Sequence, residues 1–484
     1  MSAINWPQVG MPARSILPHL RWLILLIFVA GYLLTAGKFQ SSQGQYAIYS
    51  LISLAACALL LVRLDRYDKK NIAAWVALTI FLVTQYVRFY SLVLDPGFLR
   101  NMLSEEGWLA LRSEEALIGG FRLATIAFAI FCLTIFTAFR WMAGNKQVNN
   151  AEVLTLADTR LYERASIALL VLVPILMLVL GYLAYIYHVG QLGSSTKVNL
   201  PFRMAGLIYY SRLVVIPALL MFLVYAAYRV GRNGIVSIGF FLLLTHGLMD
   251  VLIKSSRGAL LLSLLTLVFL AMVGGYKLRR MEKYVFSAAI AIAAIAIPLT
   301  HQYRVLRNSG MGITTAMPGL VDLQWNFGTM VWDSIRFIYF RLPGIEMPIA
   351  ILGAGGQPLG IRAFEVLSLP NGVADYLTYT VLSFPHGTPH SFAPSFLGWF
   401  YLIGGVPAVV VGGVAIGLLV TMFWKMLIEL RLYSSHIAQT MFLLILFTAM
   451  TEGTLDVMRY YAVVIIASII SIEIAMRMSG AVKE

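Results

Sequence analysis

The chain has 484 residues, a mean hydropathy of +0.82, 60% hydrophobic residues and 12% charged residues. Soluble domains carry about 25% charged residues, so this composition excludes a soluble protein and indicates an all-α polytopic membrane protein. The formal net charge of +14 does not indicate a nucleic-acid partner, because the basic residues lie mainly in short segments between apolar runs.

Apolar runs suited to crossing a bilayer core of about 30 Å recur along the chain. We predict twelve spans, at residues 20–36, 46–62, 72–94, 117–139, 166–188, 206–228, 235–253, 258–275, 284–300, 396–424, 437–452 and 455–476. The first run lacks a small-residue cleavage site and is predicted to be an uncleaved span. Cys57 and Cys132 lie in separate runs, so neither a disulfide framework nor a thiolate metal site is predicted.

Basic residues are concentrated in alternate connections between these runs. The basic connections are residues 63–70, 140–164, 229–232, 277–283 and 425–431, whereas the connection 95–115 carries five acidic residues. Because Lys and Arg are enriched in cytoplasmic connections, this alternation predicts that both termini are cytoplasmic.

Residues 301–395 form an outer connection between spans nine and ten that is far longer than the ~2–8 residues usual between helices. Its aromatic residues, such as Trp325 and Trp332, favour burial or a place in the membrane interface over disorder. The glycine-rich run Leu352–Pro358 is predicted to be a flexible turn within it. A single membrane domain over residues 1–484, with residues 301–395 as a periplasmic cap, is the predicted organisation.

Ionisable residues inside the spans need an explanation, because each costs at least ~2.5–3.5 kcal/mol at a helix centre. Arg88, Arg122, Arg212 and Asp250 are all predicted within about two turns of the outer ends of their helices. Further charges are predicted at the same level: Lys254, Arg257, Arg304, Arg307, Glu452, Asp456 and Arg459.

Two interpretations of this level of charge are open. Single arginines such as Arg88 or Arg122 could extend to the interface. The mixture of acids and bases at one depth instead favours an anion-accepting chamber open to the outer face. Arginine suits a diphosphate ligand in such a chamber, because guanidinium stays charged and binds phosphate in a bidentate manner.

A segment with two histidines closes the cap before the tenth span. The four-residue spacing of His386 and His390 could present two metal ligands on a helix, but Gly387 and Pro389 disfavour a helix there. An imidazole with a pKa of about 6.5 can accept a proton from a sugar hydroxyl, so His390 is a candidate general base. A bond to the loop backbone is the alternative, above all for His386.

Four stretches resemble the Wzy-type oligosaccharide repeat-unit polymerases, which make O-antigen and enterobacterial common antigen. In chain order they are Lys254–Leu260, then Tyr303 and Arg304 with Arg307, then His390–Gly398 with the glycine-spaced span that follows to Gly417, and Glu452–Gly453 with Asp456 and Arg459.

The resemblance implies a GT-C-type fold and a glycosyltransferase of the bacterial inner membrane that needs no metal and no other cofactor. The first outer loop, Gly37–Gln45, lacks the acidic residues that metal-dependent relatives usually carry there. The implied partners are undecaprenyl-diphosphate-linked oligosaccharides, the bilayer, a chain-length regulator and a flippase.

The resemblance also implies roles for residues. Diphosphate or glycan contacts are implied for Arg212, Lys254, Arg257, Arg304, Arg307, Asp456 and Arg459. His390 would be the base, but many members lack a histidine there, so Glu452, Asp322 and Asp333 stay open as substitutes. Two other functions stay open: an O-antigen ligase, and a flippase or transporter, which the gathering of charge at one level disfavours.

Overall fold

The structure is a computed structural model that describes residues 13–64, 69–99, 111–142, 156–189, 204–254, 257–274, 283–284, 287–288, 291–292, 344–369, 372–384, 392–430, 432–453 and 455–481. All regular secondary structure within these ranges is helical. The helices are α1 Ala13–Thr35, α2 Gln43–Arg63, α3 Ile72–Leu94, α4 Glu114–Met142, α5 Leu156–Ile186, α6 Met204–Arg229, α7 Asn233–Lys254, α8 Arg257–Gly274, α9 Glu346–Gly353, α10 Ala363–Ser368, α11 Gly372–Asp375, α12 Ser395–Glu429, α13 Ser435–Glu452 and α14 Leu455–Ala481.

Nine helices within the described ranges are long and apolar enough to cross a bilayer, namely α1 to α7, α12 and α14. Long apolar runs become helices in a membrane because every backbone N–H and C=O must find a partner within the segment. The predicted all-α multi-pass membrane protein is therefore confirmed. Helices α8 and α13 occupy two further predicted spans, whereas the run 284–300 lies largely outside the described residues, so twelve spans stay a prediction.

The chain groups into two compact units. The first comprises residues 1–148, 342–429 and 446–458, and the second comprises residues 149–341, 430–445 and 459–484. Helices α13 and α14 contribute residues to both. The predicted single membrane domain stays a prediction.

In the first unit α4 packs against α2, α9 and α12. Its side chains enter an aromatic core, in which the ring centroids of Phe89 and Phe121 lie 4.4 Å apart and those of Phe28 and Tyr86 lie 4.6 Å apart. Glu114, in the first turn of α4, accepts hydrogen bonds from the backbone N–H groups of Ser41 and Ser42 at 3.1 and 2.9 Å. These bonds connect the α1–α2 junction to α4.

Residues 344–369 and 372–384, which belong to the predicted cap and are described, are mainly helical and well packed. Met347 and Ile351 of α9 are buried together with Leu377 and Leu402. The glycine-rich run after α9 forms a turn as predicted, and hydrogen bonds hold it: Gly356 N–H donates to the Ile351 carbonyl at 2.8 Å. Residues 301–343 of the cap lie outside the described residues.

In the second unit α6 packs against α5 and α7, and α8 packs against α7. The stretch from Leu220 to Ala227 in α6 is buried. On α5, by contrast, Val171 and Leu178 are 61% and 65% exposed, as expected of side chains that face lipid.

Candidate functional site

Helix α6 departs from regular α-helical geometry at the π-helical turn Ser211–Val215. The N–H of Ile216 donates to the carbonyl of Ser211, five residues back, instead of that of Arg212. The Arg212 carbonyl lies 2.8 Å from Nε2 of His246 on α7. Because a carbonyl only accepts, His246 Nε2 carries the hydrogen. Turns of this kind are frequent at functional sites.

The side chain of Arg212 pairs with Asp250 of α7. Arg212 Nη2 donates to Asp250 Oδ1, and the two residues are 2% and 3% exposed. A charge buried among apolar helices persists only when it is paired, so each residue explains the presence of the other. Arg212 Nη1 is also buried and has no hydrogen-bond partner among the described residues. Arg212, His246 and Asp250 are named the Arg212 cluster below.

The Arg212 cluster lies near the end of α7 from which further predicted site residues follow. Lys254, one turn after Asp250, is the last residue of α7, and α8 begins at Arg257. The Tyr461 ring of α14 lies 5.8 Å from the Tyr210 ring, centroid to centroid. Arg459 precedes Tyr461 by two residues, so the backbone brings Lys254, Arg257 and Arg459 to the end of the second unit that holds the cluster. The side chains of these three residues lie outside the described part of the chain. Arg304 and Arg307 lie outside it entirely.

In the first unit, the turn between α13 and α14 packs on the start of α12. Gly453 has a φ of +63°, and a Cβ atom at this glycine would overlap the backbone of Ser395, the first residue of α12. Glu452 immediately precedes this contact. His390 lies five residues before Ser395, outside the described residues. The structure thus places Glu452 beside the chain segment that follows His390. Asp456 belongs to α14, and its side chain lies outside the described residues.

A second buried ion pair occurs in the first unit, between Arg88 of α3 and Glu346 of α9. Both side chains are 1% exposed, and Arg88 Nε lies 2.6 Å from Glu346 Oε2. The Gly344 N–H donates to both carboxylate oxygens of Glu346, at 3.1 Å. Arg88 is therefore not an arginine that extends to the membrane interface, which is one of the two interpretations given above. Arg122, by contrast, is exposed.

A π-helical turn also lies directly before Arg88, the arginine of this second pair. Within the turn Leu82–Val87, the Arg88 N–H donates to Gln85 instead of to Thr84. The Thr84 carbonyl accepts a hydrogen bond from the Ile345 N–H at 3.1 Å. A Cβ atom at Gly344 would overlap this carbonyl, so only glycine allows the chain to approach. The approach places Glu346, in the first turn of α9, against Arg88.

The pairing of Glu346 with Arg88 was not predicted from the sequence. The available signal was a single acidic residue followed by the uninterrupted apolar run Met347–Leu352. His246 lies within an apolar run and was not predicted as a site residue, but its ring binds a backbone carbonyl.

Four further residues that were predicted as candidates belong to the cap segment. His386, His390, Asp322 and Asp333 lie outside the described residues. Within the described ranges, no group of three or more His, Cys, Asp or Glu residues could hold a metal ion. Cys57 and Cys132 are both free and buried. Independence from metal stays a prediction.

Comparisons with known protein families, curated proteins and solved structures give no match for this chain. Fold and site together define a multi-pass α-helical membrane protein in which arginine–carboxylate pairs are buried among the helices.

Proposed function

We propose that this protein is a glycosyltransferase of the bacterial inner membrane that polymerises undecaprenyl-diphosphate-linked oligosaccharide repeat units on the periplasmic side. The observation that carries the proposal is the buried guanidinium of Arg212: Asp250 holds one nitrogen, and Nη1 has no partner among the described residues. A buried donor with a fixed orientation and a positive charge is suited to an anion such as a diphosphate. The resemblance to Wzy-type polymerases supports the same chemistry.

The proposed reaction joins two lipid-linked glycans. A hydroxyl of the acceptor repeat unit attacks the anomeric carbon of the donor glycan, and the bond from that carbon to the lipid diphosphate breaks. The leaving diphosphate takes the electron pair, and the general base takes the hydroxyl proton. Arg212, with Lys254, Arg257, Arg304, Arg307, Asp456 and Arg459, forms the proposed contacts with diphosphate or glycan. Preorganised donors of this kind stabilise charge that develops in the transition state.

The proposed base is His390, with Glu452 as its substitute. The close approach of Gly453 to Ser395 supports Glu452 as a candidate, because it brings the residue next to Glu452 against the start of α12, five residues after His390 in the sequence. His390→Gln distinguishes a base from a structural histidine. A stable, fully active His390→Gln variant would remove His390 from the role and direct the search to Glu452, Asp322 and Asp333.

Arginine takes the place of a divalent cation in this proposal, and no cofactor is required. The proposal for the fold goes beyond a multi-pass membrane protein: it includes twelve spans, a GT-C-type arrangement and cytoplasmic termini. Activity of the purified enzyme that disappears with EDTA and returns with Mg²⁺ would contradict the metal-independent mechanism.

The decisive experiment is the glycan profile of a strain that lacks this chain. Surface glycan reduced to single repeat units would support a polymerase. Long glycan that stays unattached would instead identify an O-antigen ligase, and lipid-linked units retained on the cytoplasmic face would identify a flippase. Complementation with the wild-type chain controls for effects on neighbouring genes, and complementation with Arg257→Lys tests whether a bidentate guanidinium is needed at that position.

A further inference from the structure

The connection between α9 and α11 exposes large apolar side chains although it is not a membrane span. Ile361, Phe364 and Leu369 are 90%, 79% and 57% exposed. On the opposite side of the same segment, Ala363 is buried and Val366 packs against the hydrophobic core of the first unit. Arg362, Glu365 and Ser368 are also exposed, so the exposed surface of the segment is amphipathic. Large apolar side chains exposed on an ordered segment mark a surface that is covered by something else.

This segment is attached to α12 at a break in that helix. Leu359 N–H donates to the Leu402 carbonyl at 2.6 Å. Two and three residues later, Gly404 and Gly405 have non-helical dihedral angles, with φ of −148° and +65°. Pro358 lies so close to Gly405 that a Cβ atom there would be 3.3 Å from Pro358 Cγ. The position of the break in the bilayer therefore sets the depth of the segment.

The sequence on either side of the break indicates that depth. Val406–Phe423 contains 18 residues without a charge, and Lys425 is the first charged residue after it. At about 1.5 Å per residue such a run is ~27 Å long, close to the ~30 Å of a bilayer core. On the other side of the break, Trp399 and Tyr401 are of the two residue types enriched at the membrane interface. The Gly404–Gly405 break thus lies at one boundary of the hydrocarbon core.

We propose that residues 360–369 form a membrane-interface anchor, in which Ile361, Phe364 and Leu369 insert among the acyl chains of the leaflet at the Gly405 end of α12. The exposed Arg362 beside them lies among the lipid headgroups. Lipid is the occupant because attachment to the α12 break holds the exposed side chains at the depth of the bilayer boundary. The anchor does not depend on the proposed glycosyl transfer.

Site-specific fluorescence on the full-length protein tests the anchor. Single cysteines replace Ile361 or Phe364 in a Cys57→Ala, Cys132→Ala background, and Gln357→Cys serves as the matched control, since Gln357 is an exposed polar residue of the same connection. Each variant is labelled with an environment-sensitive fluorophore and reconstituted into phosphatidylcholine–phosphatidylglycerol nanodiscs, with or without lipids that carry a quencher on the acyl chain.

The expected result is blue-shifted emission and strong quenching by the labelled lipids at positions 361 and 364, with little of either at position 357. Equal quenching at all three positions would overturn the anchor. Blue-shifted emission at 361 and 364 that the quenching lipids leave unchanged would show that protein covers this side, and it would also overturn the proposal. Thermal unfolding of each variant, compared with that of the background protein, establishes that the labelled chains are folded.

Discussion

Among the described residues, each of the two units buries an arginine–carboxylate pair, and a π-helical turn lies beside each pair. In both, a π-helical turn releases a backbone carbonyl: that of Thr84 accepts the Ile345 N–H, and that of Arg212 accepts from His246. The carboxylates differ in what else they bind. Glu346 also accepts the Gly344 N–H at both oxygens, so the Arg88 pair secures a chain connection.

The arginines differ in the same sense. Arg212 keeps Nη1 without a partner among the described residues, and cationic positions follow one turn beyond Asp250. The same two residue types thus form a structural connection in one unit and a candidate ligand site in the other. Both pairs are almost fully buried, so burial does not distinguish the two proposed roles; the ligand role proposed for Arg212 rests on its Nη1, which has no partner among the described residues, and on the cationic positions that follow Asp250.

The largest expected effect on stability comes from breaking the Arg88 pair. Arg88→Ala leaves Glu346 as a buried charge without its ionic partner, and we expect a loss of about 3–5 kcal/mol in the free energy of unfolding. Chemical unfolding in detergent measures it. The double variant Arg88→Met with Glu346→Leu should recover most of the loss and retain activity. A stable but inactive double variant would assign the pair to the reaction and remove the contrast between the units.

Arg212→Lys tests the opposite role. Lysine keeps the positive charge opposite Asp250 but lacks the second guanidinium nitrogen, so we expect polymer formation to fall by about 10²–10³-fold, as when one preorganised donor to a developing charge is lost. Polymer synthesis by reconstituted protein measures the effect at equal expression and equal thermal stability. Arg122→Lys, at an exposed arginine, is the matched control and should be unchanged. Unchanged synthesis by Arg212→Lys would contradict the ligand role.

Gly344→Ala tests whether close approach to the Thr84 carbonyl positions Glu346. The added methyl group forces the backbone away, and we expect a loss of about 1–3 kcal/mol in the free energy of unfolding. Gly206→Ala is the control, because a Cβ atom there meets nothing within 4 Å. Equal stability of the two variants, measured by thermal unfolding, would show that this approach contributes nothing.

The smallest expected effect concerns His246. Its bond to the Arg212 carbonyl should contribute about 1 kcal/mol, which His246→Ala loses. His246→Gln should restore most of the stability, since the glutamine amide can donate in place of Nε2. If alanine and glutamine at this position gave equal thermal stability, the bond would not be what holds the π-helical turn of α6 to α7.

The sequence alone determined the class of the protein. Length and apolarity of a run are properties of consecutive residues, so each of the nine membrane-length helices of the described ranges overlaps a predicted span, although α1 and α5 begin well before the predicted positions. The cost of a charge in an apolar span is equally local, which is why Arg88, Arg212 and Asp250 could be singled out as residues that need a partner or a function.

Only the tertiary structure decided which partner each charge has. Glu346 lies far from Arg88 in the sequence, and nothing near either residue identifies the other. The π-helical turns at Leu82–Val87 and Ser211–Val215 were not predicted, although Pro217, which has no N–H to donate, follows the second. The bonds that compensate for the irregular backbone come from Ile345 and His246 on other elements. The cost of burying a charge is a property of one residue, whereas its compensation depends on how distant segments pack. For that reason the sequence predicted which charged positions need a partner, and the fold gave Arg88 and Arg212 their carboxylate partners.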